Sequence, residues 1–179
     1  YVKFFIINNL SFQKNKPKIF KIFIDYKMNN AVLLKIKRLS SEYNDIPLPS
    51  YATSGSSGMD IRAAIQDKLI IPIGKIVLVP TNLSIEIEDG YELQVRPRSG
   101  LAIKNGIGLL NSPGTIDSDY RGEIKIIMIN LGEEDFTLHR GDRIAQLILS
   151  KVYKAEIIES DNLNNTKRGE GGFGHTGKK

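Results

Sequence analysis

The stretch IEIEDGYELQVR, residues 85–96, alternates apolar and polar residues on both sides of an Asp89-Gly90 turn signal. Ile85 and Ile87 fall on one face with Glu86 and Glu88 opposite. Tyr91, Leu93 and Val95 likewise oppose Glu92, Gln94 and Arg96. A period of two is the pattern of a strand with one buried face. Outward from it lie further short apolar runs at Val32–Lys37, Ile76–Val79, Ile124–Ile129 and Ile144–Leu149. Pro72, Leu131-Gly132 and Arg140-Gly141-Asp142 punctuate them. The segment Glu42–Ser57, with Pro47, Pro49 and SGSSG, reads as loop, and only Ser99–Lys104 fits a short helix. Many short strands at near-regular spacing imply an all-β domain, a sandwich or barrel with a jelly roll among the main options.

Composition narrows the chemistry. The 179 residues suggest one domain plus some excess, and 41% hydrophobic content suffices for a core. No cysteine is present, which excludes disulfides, thiolate catalysis and Cys-ligated zinc. The two histidines, His139 and His175, form no HxxxH pair, and no apolar run approaches a membrane span in length. Carboxylates, arginines, hydroxyls and backbone amides must carry any reaction. The net charge of +5 is unevenly divided: residues 1–40 hold nine Lys/Arg against one acid (+8), the remainder sixteen against nineteen (−3). The first segment, FFIINNL followed by KNKPKIFKIFIDYK, is basic and hydrophobic but lacks a small-residue cleavage site. Met28 opens MNNAVLLKIKRL, so residues 1–31 are expected to be an extension outside the functional domain, and no nucleic-acid partner is inferred from the total charge. The domain itself is expected over 32–160, followed by an arm over 161–179.

Five clusters punctuate the strands. SSGMDIRA places Asp60 two residues after a glycine, where an aspartate usually caps a turn. RPRSGLA ends a strand at Pro97 and opens a helical turn at Arg98, Ser99 and Gly100. Free N–H groups, a cation and a hydroxyl there suit phosphate, while an N-capping role explains Ser99 equally well. GLLNSPGTIDSDYRGEI, residues 108–124, reads as a hairpin with Asn111 before a Ser-Pro-Gly turn and Thr115, Ile116 and Asp117 returning. An amide and free backbone there suit the edge of a base, and Tyr120 suits the flat of a sugar. Asp119, Arg121 and Glu123 read as surface ion pairs. In DRIAQLIL, Gln146 interrupts an apolar run, either as a satisfied core amide or as a ligand contact through water. RGEGGFGHTG, residues 168–177, is half glycine, with Arg168, Phe173 and Thr176 as its only obvious ligand-binding side chains. It is either a flexible tail or an arm that closes over a planar, anionic ligand.

Together and in this order, SGMDIRA, PRSGLA, GTIDSDYRGEI, RIAQLIL and RGEGGFGHTG resemble the five motifs of the trimeric deoxyuridine triphosphatases, over about residues 32–177. The resemblance implies a jelly-roll homotrimer, each active site assembled from three subunits, that splits dUTP into dUMP and pyrophosphate with Mg²⁺ on the triphosphate. This activity keeps uracil out of DNA and supplies dUMP for thymidylate. It implies that Asp117 orients the attacking water as general base and bonds the deoxyribose 3′-hydroxyl. Tyr120 would exclude a 2′-hydroxyl, Asn111 with the backbone of Thr115 and Ile116 would read uracil, and Arg98, Ser99 and Gly100 would hold phosphate. Gln146 would support the phosphate and water network, and Asp60 would place the metal through water. Arg168 would grip the γ-phosphate, Phe173 would cover uracil, Thr176 would add a contact, and Lys125 is a weaker substrate contact. A carboxylate ionised at neutral pH can take the proton of an in-line water, and Mg²⁺ needs few protein ligands. A cytoplasmic enzyme is expected.

Three positions depart from the family pattern: His175 stands where serine is usual, Ser57 where alanine is common, and Arg62 at an often apolar or tyrosine site. Two rivals remain: a dCTP deaminase, which shares the fold but needs a second acid not seen here, and a silent dUTP-binding regulator, against which Asp117, Tyr120 and the arm argue.

Overall fold

The computed structural model describes residues 31–172; the expected extension (but for its last residue), Phe173, His175 and Thr176 lie outside them. Twelve strands form four sheets among the described residues. The largest orders β2 (Ser50–Tyr51), β3 (Met59–Arg62), β12 (Arg143–Lys151), β7 (Tyr91–Arg96) and β9 (Gly114–Ile116). A second joins β5 (Ile76–Pro80), β10 (Lys125–Asn130) and β8 (Ile107–Leu109). Two pairs complete the set: β1 (Leu34–Arg38) with β6 (Leu83–Ile87), and β4 (Lys68–Ile71) with β11 (Phe136–His139). All pairings are antiparallel.

The alternation that announced the strands also sets their faces. Leu83, Ile85 and Ile87 of β6 and Leu93 and Val95 of β7 point into one core with Ile61, Ile71, Ile126, Met128, Ile144 and Leu147, while Glu86 stays exposed. Burial of such aliphatic side chains stabilises by about 1.5–3 kcal/mol each. The expected loop over 42–57 contains a 3-10 turn at Ser41–Tyr43 and the two residues of β2. The α-helix, α1, spans Ser99–Asn105. It closes at Gly106, φ 64°, where the Gly132 backbone leaves no room for a side chain, and Gly132 in turn has none because the Asn105 carbonyl lies against it.

The expected hairpin over 108–124 is corrected by the pairing. β8 hydrogen-bonds β10, and β9 hydrogen-bonds β7, so the chain crosses from one sheet to the other at residues 110–113. Alternation specifies a strand and its buried face but not its partner, and each strand here completes the edge of a different sheet. The crossing leaves Asn111 and Gly114 beside a cleft between sheets.

The β5–β10–β8 sheet has a second apolar face. Ile76 and Leu78 remain 52% and 54% exposed, Leu110 is 54% exposed, and Ile127 and Ile129 are half-buried beside them. Away from this face, Arg140 pins the 3-10 turn. Its guanidinium bonds both Asp45 carboxylate oxygens (2.8 and 3.2 Å) and the carbonyls of Glu42 and Ile65, and lies over the Tyr43 ring. The Arg140 guanidinium holds the Asp45 carboxyl below the usual carboxylate range. A depressed folded value contributes stability that is present above the unfolded pKa of about 3.9 and lost as pH falls through the folded value. Arg140→Leu is therefore expected to flatten the dependence of Tm on pH below about 5, read by thermal melts across acidic buffers.

Candidate active site

A cleft of about 380 Å³ opens where β9, the turn after it and the start of β10 meet β5 and β7. That is within the range of small-molecule sites. It gathers Asn111, Thr115, Ile116, Asp117, Tyr120 and Lys125, every residue that the third motif and its successor supplied to the expected site. Leu78, Val95, Gly114, Glu123 and Ile124 complete the lining. Leu78 comes from a strand forty residues away in sequence, and nothing in its neighbours marks it.

A tight turn shapes the cleft. The Tyr120 N–H donates to the Asp117 carbonyl at 3.2 Å, and the Tyr120 hydroxyl to the Glu123 carbonyl at 3.0 Å. Arg121 donates to the carbonyls of Ser118 (2.6 Å) and Tyr120 (2.9 Å), so it braces the turn instead of forming the expected surface ion pair. Glu123 accepts from the Asn82 N–H at 2.9 Å and approaches the Lys125 ammonium at 3.5 Å. The Asp117 side chain and Lys125 are exposed to the cleft's solvent, and Tyr120 is 45% exposed.

The remaining motifs converge elsewhere. Across β3, β12 and β7, Asp60, Gln146 and Arg96 share one register row. Asp60 sits within a strand and caps no turn; its oxygens meet Arg98 Nε at 3.3 Å and Arg143 Nη1 at 2.9 Å. Arg98 also donates to the Arg143 carbonyl at 2.8 Å, and Arg62 to the Gly141 carbonyl at 2.7 Å. Arg62, Arg98 and Arg143 line one hollow with Asp142. Arg143 was not among the expected site residues, although it stands inside the fourth motif. Ser99 is the first helical residue; Arg98 holds the cap position, which leaves the N–H groups of Ser99 and Gly100 at the open end of α1. Gln146 is half-buried, and Gly58 makes room for it: a Cβ on Gly58 would stand 2.7 Å from Gln146 Oε1 and 3.1 Å from its Cβ.

Asp117 and Arg98 are apart within one chain. Continuing the β7–β9 register places Asp117 level with Glu92, whereas Arg98 lies two residues past the end of β7, at the cap of α1. Six residues separate Glu92 from Arg98, about 20 Å of backbone. Arg168 donates to the Gly171 carbonyl at 2.7 Å, in a segment where residues 153–170 are exposed throughout without helix or strand.

A family model described as dUTPase matches residues 44–177. The chain belongs to the dUTPase family. It is 51% identical over 147 residues to the deoxyuridine 5′-triphosphate nucleotidohydrolase of Thermoanaerobacter sp. (strain X514), covering 82% of this chain and 99% of that one. To the protein of the same name from Brucella melitensis biotype 2 it is 56% identical over 151 residues, covering 83% and 96%. In fold it is similar to a dUTPase of Staphylococcus bacteriophage 80alpha with dUpNHpp bound, TM-score 0.72, 22% identity, covering 81% and 98%. A dUTPase from phage phi11 of S. aureus, described with a structural Mg(II) ion, shares the fold at TM-score 0.65 and 19% identity, covering 74% and 99%. All-β architecture and membership of the dUTPase family thus stand together.

Proposed function

We propose that this chain hydrolyses dUTP to dUMP and pyrophosphate in a trimer whose sites combine the Asp117 cleft of one subunit with the Asp60–Arg98–Arg143 cluster of another. The observation that carries the reading is the separation of the two groups. One holds what a nucleoside and a nucleophilic water need, the other what phosphates need, and about 20 Å of backbone divides Asp117 from Arg98 in a single chain. The half-exposed Ile76, Leu78 and Leu110 supply an apolar face for assembly, and Leu78 belongs to both that face and the cleft. The exposed Ile157, Ile158 and Leu163 of the C-terminal segment support an arm that packs on a neighbour.

In this reading, Asn111 and the backbone of Thr115 and Ile116 pair with the uracil edge, and Tyr120 lies against the deoxyribose. Asp117 bonds the 3′-hydroxyl and takes the proton of a water aimed at the α-phosphorus. Arg98 with the N–H groups of Ser99 and Gly100 holds phosphate oxygens, Gln146 orders the network, and Lys125, Arg168, Phe173 and Thr176 complete the enclosure. Stabilisation is electrostatic positioning without a covalent intermediate. The described residues hold no cluster of three metal-ligating side chains. Asp60, its carboxylate already met by two arginines, would hold a Mg²⁺ ion on the triphosphate through water and not as a direct ligand. When bound, that ion neutralises phosphate charge. The consequence for the cell is a low dUTP level and a supply of dUMP, in the cytoplasm.

Complementation tests the shared site. Asp117→Asn and Arg98→Ala chains, each strongly impaired alone, are expected to regain dUTP hydrolysis when unfolded, mixed and refolded together. No recovery from correctly assembled mixed trimers would place both residues in one subunit's site. Gly58→Ala, which crowds Gln146, is expected to raise KM for dUTP about tenfold with Tm nearly unchanged, the effect of about 1.4 kcal/mol of misplaced binding. Steady-state kinetics beside a melt checks it.

A further inference from the structure

Gly122 lies against the Tyr120 ring, with no room between them for a side chain. A Cβ built on Gly122 would lie 2.6 Å from Tyr120 Cζ and 3.0 Å from Cε2, with the phenolic oxygen nearer still. Real Cβ atoms do not approach that closely, so ring and glycine occupy space that only a missing side chain provides. The Gly122 backbone does not itself demand glycine: its φ lies outside the left-handed region, and the three atoms nearest to a Cβ there all belong to the Tyr120 side chain. Tyr120 lines the cleft, so the ring that Gly122 makes room for is also one of its walls. The Tyr120 hydroxyl is tied to the next residue's carbonyl, Glu123 O, at 3.0 Å, which pins the far end of the ring over the glycine.

We infer that Gly122 is a positioning residue that sets the depth of the sugar pocket by letting the Tyr120 ring sit back against the main chain. The inference rests on the reading of this cleft as the nucleoside site. A methyl group at position 122 pushes the ring off the Glu123 carbonyl and into the space the sugar needs. Because the ring is 45% exposed, it moves without disturbing the core. The effect falls on binding and leaves folding alone.

The test is a double-mutant cycle read by calorimetric binding of the non-hydrolysable analogue dUpNHpp, so that no variant needs to be active. The full-length chain is used, with the wild type measured first. Gly122→Ala is expected to weaken binding at least tenfold with Tm within a few degrees of wild type. In the Tyr120→Ala background, the same change is expected to alter Kd by less than twofold, since the ring it displaces is gone. Equal weakening in both backgrounds, or none with Tyr120 present, overturns the inference. A marked fall in Tm for Gly122→Ala that persists without the ring also overturns it, because the glycine would then serve the backbone. Failure of the wild type to bind dUpNHpp contradicts the nucleoside-site reading instead, and so separates the two claims.

Discussion

Asp117→Asn is expected to lower kcat for dUTP by about 10²–10⁴-fold, the range that removal of a positioned general base produces. The amide has nearly the carboxylate's shape and can still bond a sugar hydroxyl, but it cannot accept the water's proton. Asp117 stands one residue past β9, its carbonyl fixed by the Tyr120 N–H and its side chain open to solvent in the cleft. No core contact depends on it, so Tm should hold. KM is expected to change less than kcat, which marks an interaction realised in the transition state. Turnover near wild type would remove Asp117 from its role as base.

Much of that site could be read in the chain, for identifiable reasons. The period-two pattern at 85–96 gave strands and inward faces because Ile85, Ile87, Leu93 and Val95 share one core, and a face rule needs no knowledge of partners. Partners were less legible: residues 108–116 look like a hairpin, yet β8 and β9 join different sheets. The third motif supplied its cleft residues because they are close in sequence. Leu78 arrives through pairing with Ile127, and Arg143 is recruited through Asp60, so both depend on tertiary contacts that local pattern does not encode. The roles of Gly58 and Gly122 are steric, set by Gln146 and Tyr120, and appear only once side chains are placed.

The second large effect concerns stability. Asn130, fully buried at the end of β10, donates to the carbonyls of Ile71 and Glu134 at 2.8 Å each and accepts from the Gly132 N–H at 2.9 Å. It thereby joins β4 to the β10–β11 turn and fixes Gly132, against which Gly106 seats the end of α1. Asn130→Leu keeps the volume but leaves the buried Ile71 carbonyl without its Asn130 partner, while the Glu134 carbonyl and the Gly132 N–H, on a part-exposed turn, can turn to water. At about 1–3 kcal/mol for the buried carbonyl, the loss is roughly 2 kcal/mol. For a chain of this length, that corresponds to a fall in Tm of about 4–8 °C, measured by calorimetry at fixed protein concentration. A change under about 2 °C would mean that the network contributes little.

The most direct measurement is pyrophosphate release from dUTP with Mg²⁺, beside dCTP, dTTP and UTP on one preparation, with the nucleotide product identified by chromatography. Release from dUTP alone is expected, with dUMP as the product. Turnover of dCTP would move the chain to deaminase chemistry. Silence on all four from a folded assembly that still binds dUTP would contradict the catalytic reading and leave a nucleotide-binding regulator.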